Sequence, residues 1–175
     1  MKKLRNEELN RVTPQEYDKL IKTPLTIVLD NVRSLNNIGS VFRTADCYRV
    51  EKIILCGITA QPPHKEIRKT ALGATETVDW DYEDETLDAV QKLQRQGYTV
   101  CAIEQAVDAI SLHESQFDQQ QKVAIVLGNE VKGVQQKVVN ACDKVIELEQ
   151  YGTKHSLNIS VCTGIVVYDL FYKLK

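Results

Sequence analysis

The chain has 175 residues, with 22 Lys and Arg residues against 24 Asp and Glu residues and a formal charge of −2. This length favours one domain that buries roughly 70% of the surface exposed by its unfolded chain. The apolar content of 43% and the charged content of 26% exclude disordered, collagen-like and coiled-coil classes. The near-neutral balance excludes a broadly basic nucleic-acid arm but allows a local basic face.

The five cysteines indicate a reducing compartment. Their number is odd, no pair has CxxC spacing and most lie in apolar runs, so we expect small buried hydrophobes. With three histidines and no ligand spacing, we predict no metal site. We also expect no secretory signal, no membrane span and a cytoplasmic protein, because no apolar stretch is long enough.

The first predicted element is a short helix after a polar start of about fifteen residues. Thr13 is the expected N-cap, Pro14 takes the first helical position and Glu16 completes a capping box. We predict that this helix runs to about position 21. We therefore assign residues 1–22 to an N-terminal extension with a helix and residues 23–175 to the main domain.

Strands and helices then alternate along the chain. The predicted strands cover residues 25–30, 52–57, 77–80, 98–103, 122–128 and 144–148. The predicted helices cover residues 36–48, 65–72, 85–95, 135–141 and 156–170. The last helix is apolar on most faces, so we expect it to be buried. This alternation predicts an α/β domain with a parallel sheet covered by helices on both faces.

Ligands of open parallel sheets bind beyond the carboxyl ends of strands, and three polar clusters lie at such places. Residues 31–45 carry Asn and Arg around a helix start, and residues 148–160 place polar groups before an apolar helix. In residues 125–133 a buried strand ends in Gly-Asn-Glu, and Gly128 suggests that the backbone closely approaches a ligand.

Each cluster taken alone has a plain alternative. Asn36, Asn37 or Ser156 could only cap a helix, Arg43 could be a solvated charge, and Gly128 could belong to a simple turn. The usual nucleotide signatures GxGxxG and GxxxxGK[ST] are missing, as is the GxSxG elbow.

Together, in order and spacing, the three clusters resemble motifs 1, 2 and 3 of the SpoU/TrmH branch of the SPOUT RNA methyltransferases. The resemblance covers about residues 25–172. It implies a parallel-sheet α/β knot fold with a C-terminal deep trefoil knot that forms an S-adenosylmethionine pocket, and a homodimer. It also implies methyl transfer to a ribose 2′-hydroxyl in structured RNA without a metal, with guanosine in tRNA favoured and rRNA next.

The resemblance also implies roles for individual residues. Arg43 matches the proposed catalytic arginine, Asn37 shapes the same site, and Ser156 and Asn158 match a polar pair near the reacting centre. The implied cofactor contacts are Ile103, Glu104, Gly128, Glu130, Leu148 and Leu157. The favoured RNA contacts on a local basic face are Arg33, Lys65, Arg68, Lys69 and Lys154, with Arg49, His64, Lys132 and His155 as further candidates.

Three features bear on the mechanism. Glu149 and Gln150 stand where the family often has Pro-Met, and Glu149 would place a negative charge beside the sulfonium. We expect Asn158 in the first turn of the closing helix, with its acceptor oxygen facing the reacting groups. Because arginine stays protonated, we interpret Arg43 as a phosphate clamp. The hydroxyl proton then goes either to a phosphate oxygen or, if the site depresses its pKa far enough, to Arg43.

Three other functions stay open at this point. The chain could be a methyltransferase for a non-RNA substrate or an RNA-binding module that has lost catalysis. The third alternative is a dinucleotide-dependent dehydrogenase, which the missing glycine fingerprint disfavours.

Overall fold

The computed structural model of the protein describes residues 1–175 apart from the side chain of Asn6. The strands are β1 Thr23–Asp30, β2 Val50–Cys56, β3 Asp79–Glu83, β4 Thr99–Ile103, β5 Ile110–Ser111, β6 Val123–Leu127 and β7 Lys144–Glu147. The helices are α1 Pro14–Tyr17, α2 Leu35–Cys47, α3 Lys65–Ala71, α4 Thr86–Arg95, α5 Gln136–Val139 and α6 Ile159–Lys173, with 3-10 turns at Asn6–Leu9 and Ala74–Glu76.

The seven strands form one sheet in the order β3-β2-β1-β6-β4-β7-β5. Every neighbouring pair is parallel. The prediction of a parallel α/β sheet is therefore confirmed. Because β1, β6, β4 and β7 are adjacent and parallel, the loops that follow them emerge side by side at one edge of the sheet.

An apolar core lies on each side of the sheet, as the alternation of side chains along β1 requires. Leu25, Ile27 and Leu29 pack on the side of α2, α3 and α6. Val28 faces the opposite side, where α4 and α5 contribute residues such as Val90 and Val138. The expected covering of both faces by helices is confirmed.

The capping box of the first helix is confirmed, since Glu16 donates its backbone N–H to Thr13 Oγ1 at 3.3 Å. The helix ends at Tyr17, however, before position 21. The edge strand β5 was not predicted, because two residues carry no readable periodicity. The division at residue 22 and the trefoil knot stay predictions.

The closing helix differs most from its prediction. It begins at Ile159 rather than at position 156, because the side chain of Asn158 caps it. It is also only half-buried. Val166 and Leu170 are buried in the core, whereas Val161 and Ile165 are 51% and 41% exposed. The expectation of a wholly buried helix is therefore wrong for the single chain.

The cysteines are also more varied than expected. Cys56 and Cys101 are buried, Cys142 and Cys162 are half-buried, and Cys47 is exposed. All five are free thiols. Among the described residues, no helix has the length and apolar character needed to cross a membrane.

Candidate functional site

A cavity of about 650 Å³ opens at the carboxyl ends of β4, β6 and β7. Its volume is within the range of about 300–1,000 Å³ typical of small-molecule sites. Two loops form most of its wall: the β6 loop, residues 128–135, and the β7 loop, residues 148–158. The parallel order of the strands brings these loops together although they are distant in sequence.

All six residues predicted to contact a cofactor line this cavity, together with Ser156 and Asn158. The six are Ile103, Glu104, Gly128, Glu130, Leu148 and Leu157. Within the part of the chain that the structure describes, Arg43 and Asn37 lie outside the lining. The second and third sequence clusters therefore build the cavity, and the first approaches it from α2.

Gly128 has no room for a side chain. A Cβ at this position would collide with the backbone of Gly133 and Val134, because the β6 loop folds back onto its own start. The sequence suggested a close approach of a ligand at Gly128. In the structure the chain itself makes a close approach at Gly128, which also lines the cavity, so the contact with a ligand stays a prediction.

The β6 loop is held in place by hydrogen bonds that join its backbone and side chains to neighbouring segments. Glu104 Oε2 accepts the N–H of Val134 at 2.9 Å, and Glu104 Oε1 accepts the N–H of Gln105 at 2.9 Å. Asn129 donates through Nδ2 to the carbonyl of Asn31 at 2.8 Å. The predicted cofactor residue Glu104 thus has both carboxylate oxygens engaged by backbone amides.

Asp30, fully buried at the end of β1, holds the other end of the β6 loop. Its Oδ2 accepts the backbone N–H of Gln135 at 2.8 Å, and its Oδ1 accepts Gln135 Nε2 at 2.8 Å. The hydroxyl of Thr86 also donates to Oδ1, at 2.6 Å. Sequence reasoning assigned Asp30 no role, although a carboxylate that ends an apolar strand indicates buried hydrogen bonding.

Glu130 joins the β6 loop to the start of α2. Its carboxylate accepts the backbone N–H groups of Arg33 and Ser34 at 3.1 and 2.9 Å, and Asn37 Nδ2 at 3.3 Å. Burial acts to raise the pKa of Glu130. The hydrogen bonds from the backbone of Arg33, Glu130 itself and Ser34, and from Asn37, outweigh burial and lower that pKa. Glu130 therefore stays ionised at neutral pH, and its negative charge is favourable near the N-terminus of α2.

Asn158 connects the third cluster to the first. Its Nδ2 donates to Asn37 Oδ1 at 3.1 Å, while its Oδ1 accepts the backbone N–H of Ser160 at 2.9 Å. Asn158 is therefore the N-cap of α6 and not a first-turn residue. Its acceptor oxygen is occupied by the cap, which corrects the expectation that this oxygen faces the reacting groups.

The rest of the β7 loop makes fewer contacts. Residues 151–158 are exposed, and the carbonyl of His155 accepts Gln105 Nε2 at 3.1 Å. Glu149 is outside the cavity lining and accepts the hydroxyl of Ser111 at 3.1 Å, whereas Gln150 is part of the lining. The negative charge of Glu149 is therefore directed to β5 and not into the cavity.

The predicted RNA contacts lie on the outside of the molecule. Their side chains are exposed and form no ion pair with the residues that the structure describes; they are Arg33, Lys65, Arg68, Lys69 and Lys154. Arg43 is exposed on α2. Packing of α3 against α2 is close at Gly39, where a Cβ would collide with Thr70 and the carbonyl of Ile67. The structure thus places the basic residues of α3 beside the helix that carries Arg43.

The described residues contain no group of three or more His, Cys, Asp or Glu side chains able to hold a metal ion. The polar groups at the cavity are instead amides, hydroxyls and carboxylates that bond to one another. Such an arrangement is suited to an organic ligand held between shaped loops.

Comparison with known sequences identifies a family. A sequence profile of the SpoU rRNA Methylase family matches residues 24–168. The 23S rRNA (guanosine-2'-O-)-methyltransferase RlmB of Pseudomonas aeruginosa is 30% identical over 147 residues, which are 84% of this chain and 58% of that protein. The tRNA (guanosine(18)-2'-O)-methyltransferase of Aquifex aeolicus is 29% identical over 83% of this chain and 67% of its own length.

The fold also has known counterparts. The AdoMet-bound rRNA methyltransferase from Sinorhizobium meliloti superimposes with a TM-score of 0.81 at 24% identity, covering 94% of this chain and 62% of that one. This likeness concerns the fold. The chain spans about three fifths of the length of the 23S rRNA relatives that it matches, at 58% and 60%.

Proposed function

This chain belongs to the SpoU rRNA methylase family, and we propose that it transfers a methyl group from S-adenosylmethionine to a ribose 2′-hydroxyl in structured RNA. The main observation that supports this proposal is the cavity at the carboxyl ends of β4, β6 and β7. The second and third sequence clusters form its walls. The hydrogen bond between Asn158 and Asn37 joins the first cluster to the cavity. One ligand site therefore unites three segments that are far apart in the sequence.

The lining fits S-adenosylmethionine in size and in chemistry. Ile103, Leu148 and Leu157 provide an apolar surface suited to a purine, and the adjoining loops supply backbone polar groups. A structural neighbour was solved with AdoMet bound, which supports the assignment. When bound, S-adenosylmethionine supplies a methyl group activated by a positively charged sulfur.

The chain's own residues then position the RNA for an in-line displacement. Arg43 is exposed on α2, the helix that packs against α3, and its guanidinium can clamp a phosphate and stabilise negative charge on the attacking oxygen. Ser156 and Asn158 line the cavity and are the polar pair that we assign to the reacting centre. Because the attack is a bimolecular step, most of the rate gain comes from this positioning.

The substrate that we favour is a guanosine in tRNA, with rRNA next. Both curated relatives described above carry guanosine 2′-O-methyltransferase names, one for 23S rRNA and one for tRNA. The exposed basic residues of α3 and the loops provide a phosphate-binding face on a chain whose net charge is only −2. We expect the reaction to take place in the cytoplasm.

We further propose a homodimer that buries the exposed face of α6. Val161, Ile165, Tyr168 and Tyr172 recur at helical spacing on that face and are 41% to 59% exposed. Such an apolar stripe is typical of an interface. Light scattering should therefore give about twice the chain mass of 19.8 kDa. An Ile165→Glu variant should shift that mass towards the single chain, and a wild-type mass near 19.8 kDa would contradict the dimer.

The test of function is labelled methyl transfer from S-adenosylmethionine to RNA isolated from a strain lacking this gene, followed by mapping of 2′-O-methyl sites. We expect one new site, restored by the wild-type protein. The Arg43→Ala variant should transfer at least about 100-fold more slowly, as expected for the loss of a group that stabilises developing charge. Its affinity for S-adenosylmethionine should be nearly unchanged, because Arg43 lies outside the cavity lining.

Other results would redirect the assignment. Binding of S-adenosylmethionine without label in any RNA would favour a small-molecule acceptor. Binding of RNA without binding of S-adenosylmethionine would favour a module that has lost catalysis. Full activity of Arg43→Ala would remove Arg43 from the mechanism.

A further inference from the structure

We propose that His155 is the general base that takes the proton from the attacking ribose hydroxyl. The inference rests on the proposed methyl transfer and goes beyond it, because it names the proton acceptor. His155 lies in the β7 loop, directly before Ser156, and it lines the cavity.

The reaction requires an acceptor for the hydroxyl proton. The hydroxyl oxygen forms a bond to the methyl carbon, the carbon–sulfur bond breaks, and its electron pair stays on the sulfur, which becomes neutral. The hydroxyl proton passes to an imidazole nitrogen, which becomes positively charged. Charge and atoms balance with the RNA and S-adenosylmethionine as the only reactants.

The two carboxylates of the cavity are poorly suited to this step. Both oxygens of Glu104 accept backbone N–H groups, from Gln105 and Val134. Those of Glu130 accept the N–H groups of Arg33 and Ser34, and these bonds help to lower the pKa of Glu130. A carboxylate that is already satisfied by donors is a weak proton acceptor.

The remaining titratable groups of the lining are also unsuitable. Burial raises the pKa of Cys162 to about 11, so that it stays a thiol near neutral pH. Lys132 carries an ammonium, which offers donors and no acceptor. Outside the lining, the guanidinium of Arg43 has no acceptor either and stays protonated. Histidine is the side chain that ordinarily changes protonation between about pH 5 and 8.

One hydrogen bond ties the backbone of His155, and its ring is available. The backbone carbonyl of His155 accepts Gln105 Nε2 at 3.1 Å, which ties this part of the β7 loop to the end of β4. The residue is exposed, and its ring nitrogens form no hydrogen bond with the residues that the structure describes. The loop therefore presents an imidazole without hydrogen bonds in the lining of the cavity, beside Ser156.

The experiment compares wild type with His155→Gln and with the control His113→Gln, in the full-length protein and with RNA from the deletion strain. His113 is an exposed histidine near β5, outside the cavity lining. A general base contributes typically 100- to 10,000-fold, so we expect His155→Gln to lower the single-turnover rate by at least about 100-fold. His113→Gln should keep the wild-type rate.

The pH profile separates a base from a merely structural residue. A base must be unprotonated, so the wild-type rate should rise with pH through one ionisation and then level off. In His155→Gln this ionisation should disappear from the profile. Affinity for S-adenosylmethionine, measured by calorimetry, should change less than about threefold, which shows that the cavity is intact.

A second measurement does not depend on turnover. The chain has only three histidines, so the imidazole NMR signal of His155 can be assigned by its absence in His155→Gln. Adding unmodified tRNA from the deletion strain should move this signal and leave that of His113 in place.

Three results would overturn the inference. They are an unchanged rate in His155→Gln, a slower rate with the ionisation still present, and an imidazole signal that does not respond to RNA. A wild-type protein that transfers no methyl group would instead refute the proposed function, and the inference would be overturned with it.

Discussion

The two loops that enclose the cavity are built in different ways. The β6 loop is held by hydrogen bonds at several points. Asp30 and Glu104 accept backbone N–H groups of the loop, and the loop's own Asn129 and Glu130 bond to the segment before α2. The β7 loop is held mainly at its ends and by one bond to the carbonyl of His155. Residues 151–158 are exposed.

This difference separates a fixed wall from an adaptable one. Bonds to the β6 loop come from Asp30 at the end of β1, from Glu104 directly after β4 and from the segment that leads into α2, so its shape follows from the fold. The β7 loop presents exposed polar and basic groups beside the cavity, as recognition segments on a rigid scaffold commonly do. We expect substitutions that loosen the β6 loop to affect folding and cofactor affinity, and those in the β7 loop to affect turnover.

The largest effect should come from Asp30→Ala. Its removal leaves the buried hydroxyl of Thr86 and the backbone N–H of Gln135 without their acceptor. Each unsatisfied buried group costs about 1–3 kcal/mol, so the free energy of unfolding should fall by about 3 kcal/mol or more. Urea denaturation measures it. The control Asp81→Ala, which removes a surface ion pair with Lys52, should cost less than about 1 kcal/mol.

The two loops can be compared directly through their glycines. Gly128→Ala introduces a collision with Gly133 and Val134, so the β6 loop must shift and calorimetry should show at least about tenfold weaker binding of S-adenosylmethionine. Gly152→Ala in the β7 loop meets no atom within 4 Å and should bind within about twofold of wild type. Equal affinities of the two variants would contradict the distinction between a fixed and an adaptable wall.

Asn158 tests whether the link to Asn37 matters apart from the helix cap. Asn158→Ala loses both bonds, so we expect turnover to fall by about 10- to 1,000-fold and stability by about 1 kcal/mol. Asn158→Asp keeps an acceptor for the N–H of Ser160 but cannot donate to Asn37. It should therefore retain the melting temperature and lose turnover. If Asn158→Asp is as active as wild type, Asn158 is only a cap.

The smallest expected effect is the change in melting temperature of Glu130→Gln and its dependence on pH. The pKa of Glu130 is lower in the folded chain than its ordinary value of 4.5. The hydrogen bonds of its carboxylate therefore stabilise the fold fully at a pH above 4.5, and this stabilisation is lost as the pH falls through the pKa of the folded chain. Glu130→Gln should lower the melting temperature by about 1–2 °C near neutral pH. Calorimetry at decreasing pH should show this difference shrinking below about pH 4.5, and a constant difference would contradict it.

Most of the fold could be predicted from the sequence, because apolar periodicity is a local property. Six of the seven strands and the alternation of helices were recognised in this way. The short strand β5 and the start of α6 were not, since a two-residue strand has no period and either Ser156 or Asn158 could cap the helix.

The site was predictable as three clusters but not as a network of contacts. Nothing local in residues 30–37 shows that Asp30 bonds to Gln135 or that Glu130 bonds to the start of α2. These partners are 105 and 96 residues apart along the chain. The closing helix was expected to be buried, but its apolar composition alone does not tell which of its faces packs into the core. The roles of the lining residues stay predictions.

The buried carboxylate of Asp30 has a consequence for how the protein is made. Its partners Thr86 and Gln135 lie 56 and 105 residues further along the chain, and β6, which pairs with β1, comes 93 residues or more after that strand. A ribosome therefore releases β1 and its neighbour β2 long before β6 exists, and the nascent sheet has an open, apolar edge on the β6 side of β1 during that interval. Such late closure slows folding and exposes the growing chain to aggregation. We expect efficient production in the cell to depend on chaperones that shield this edge.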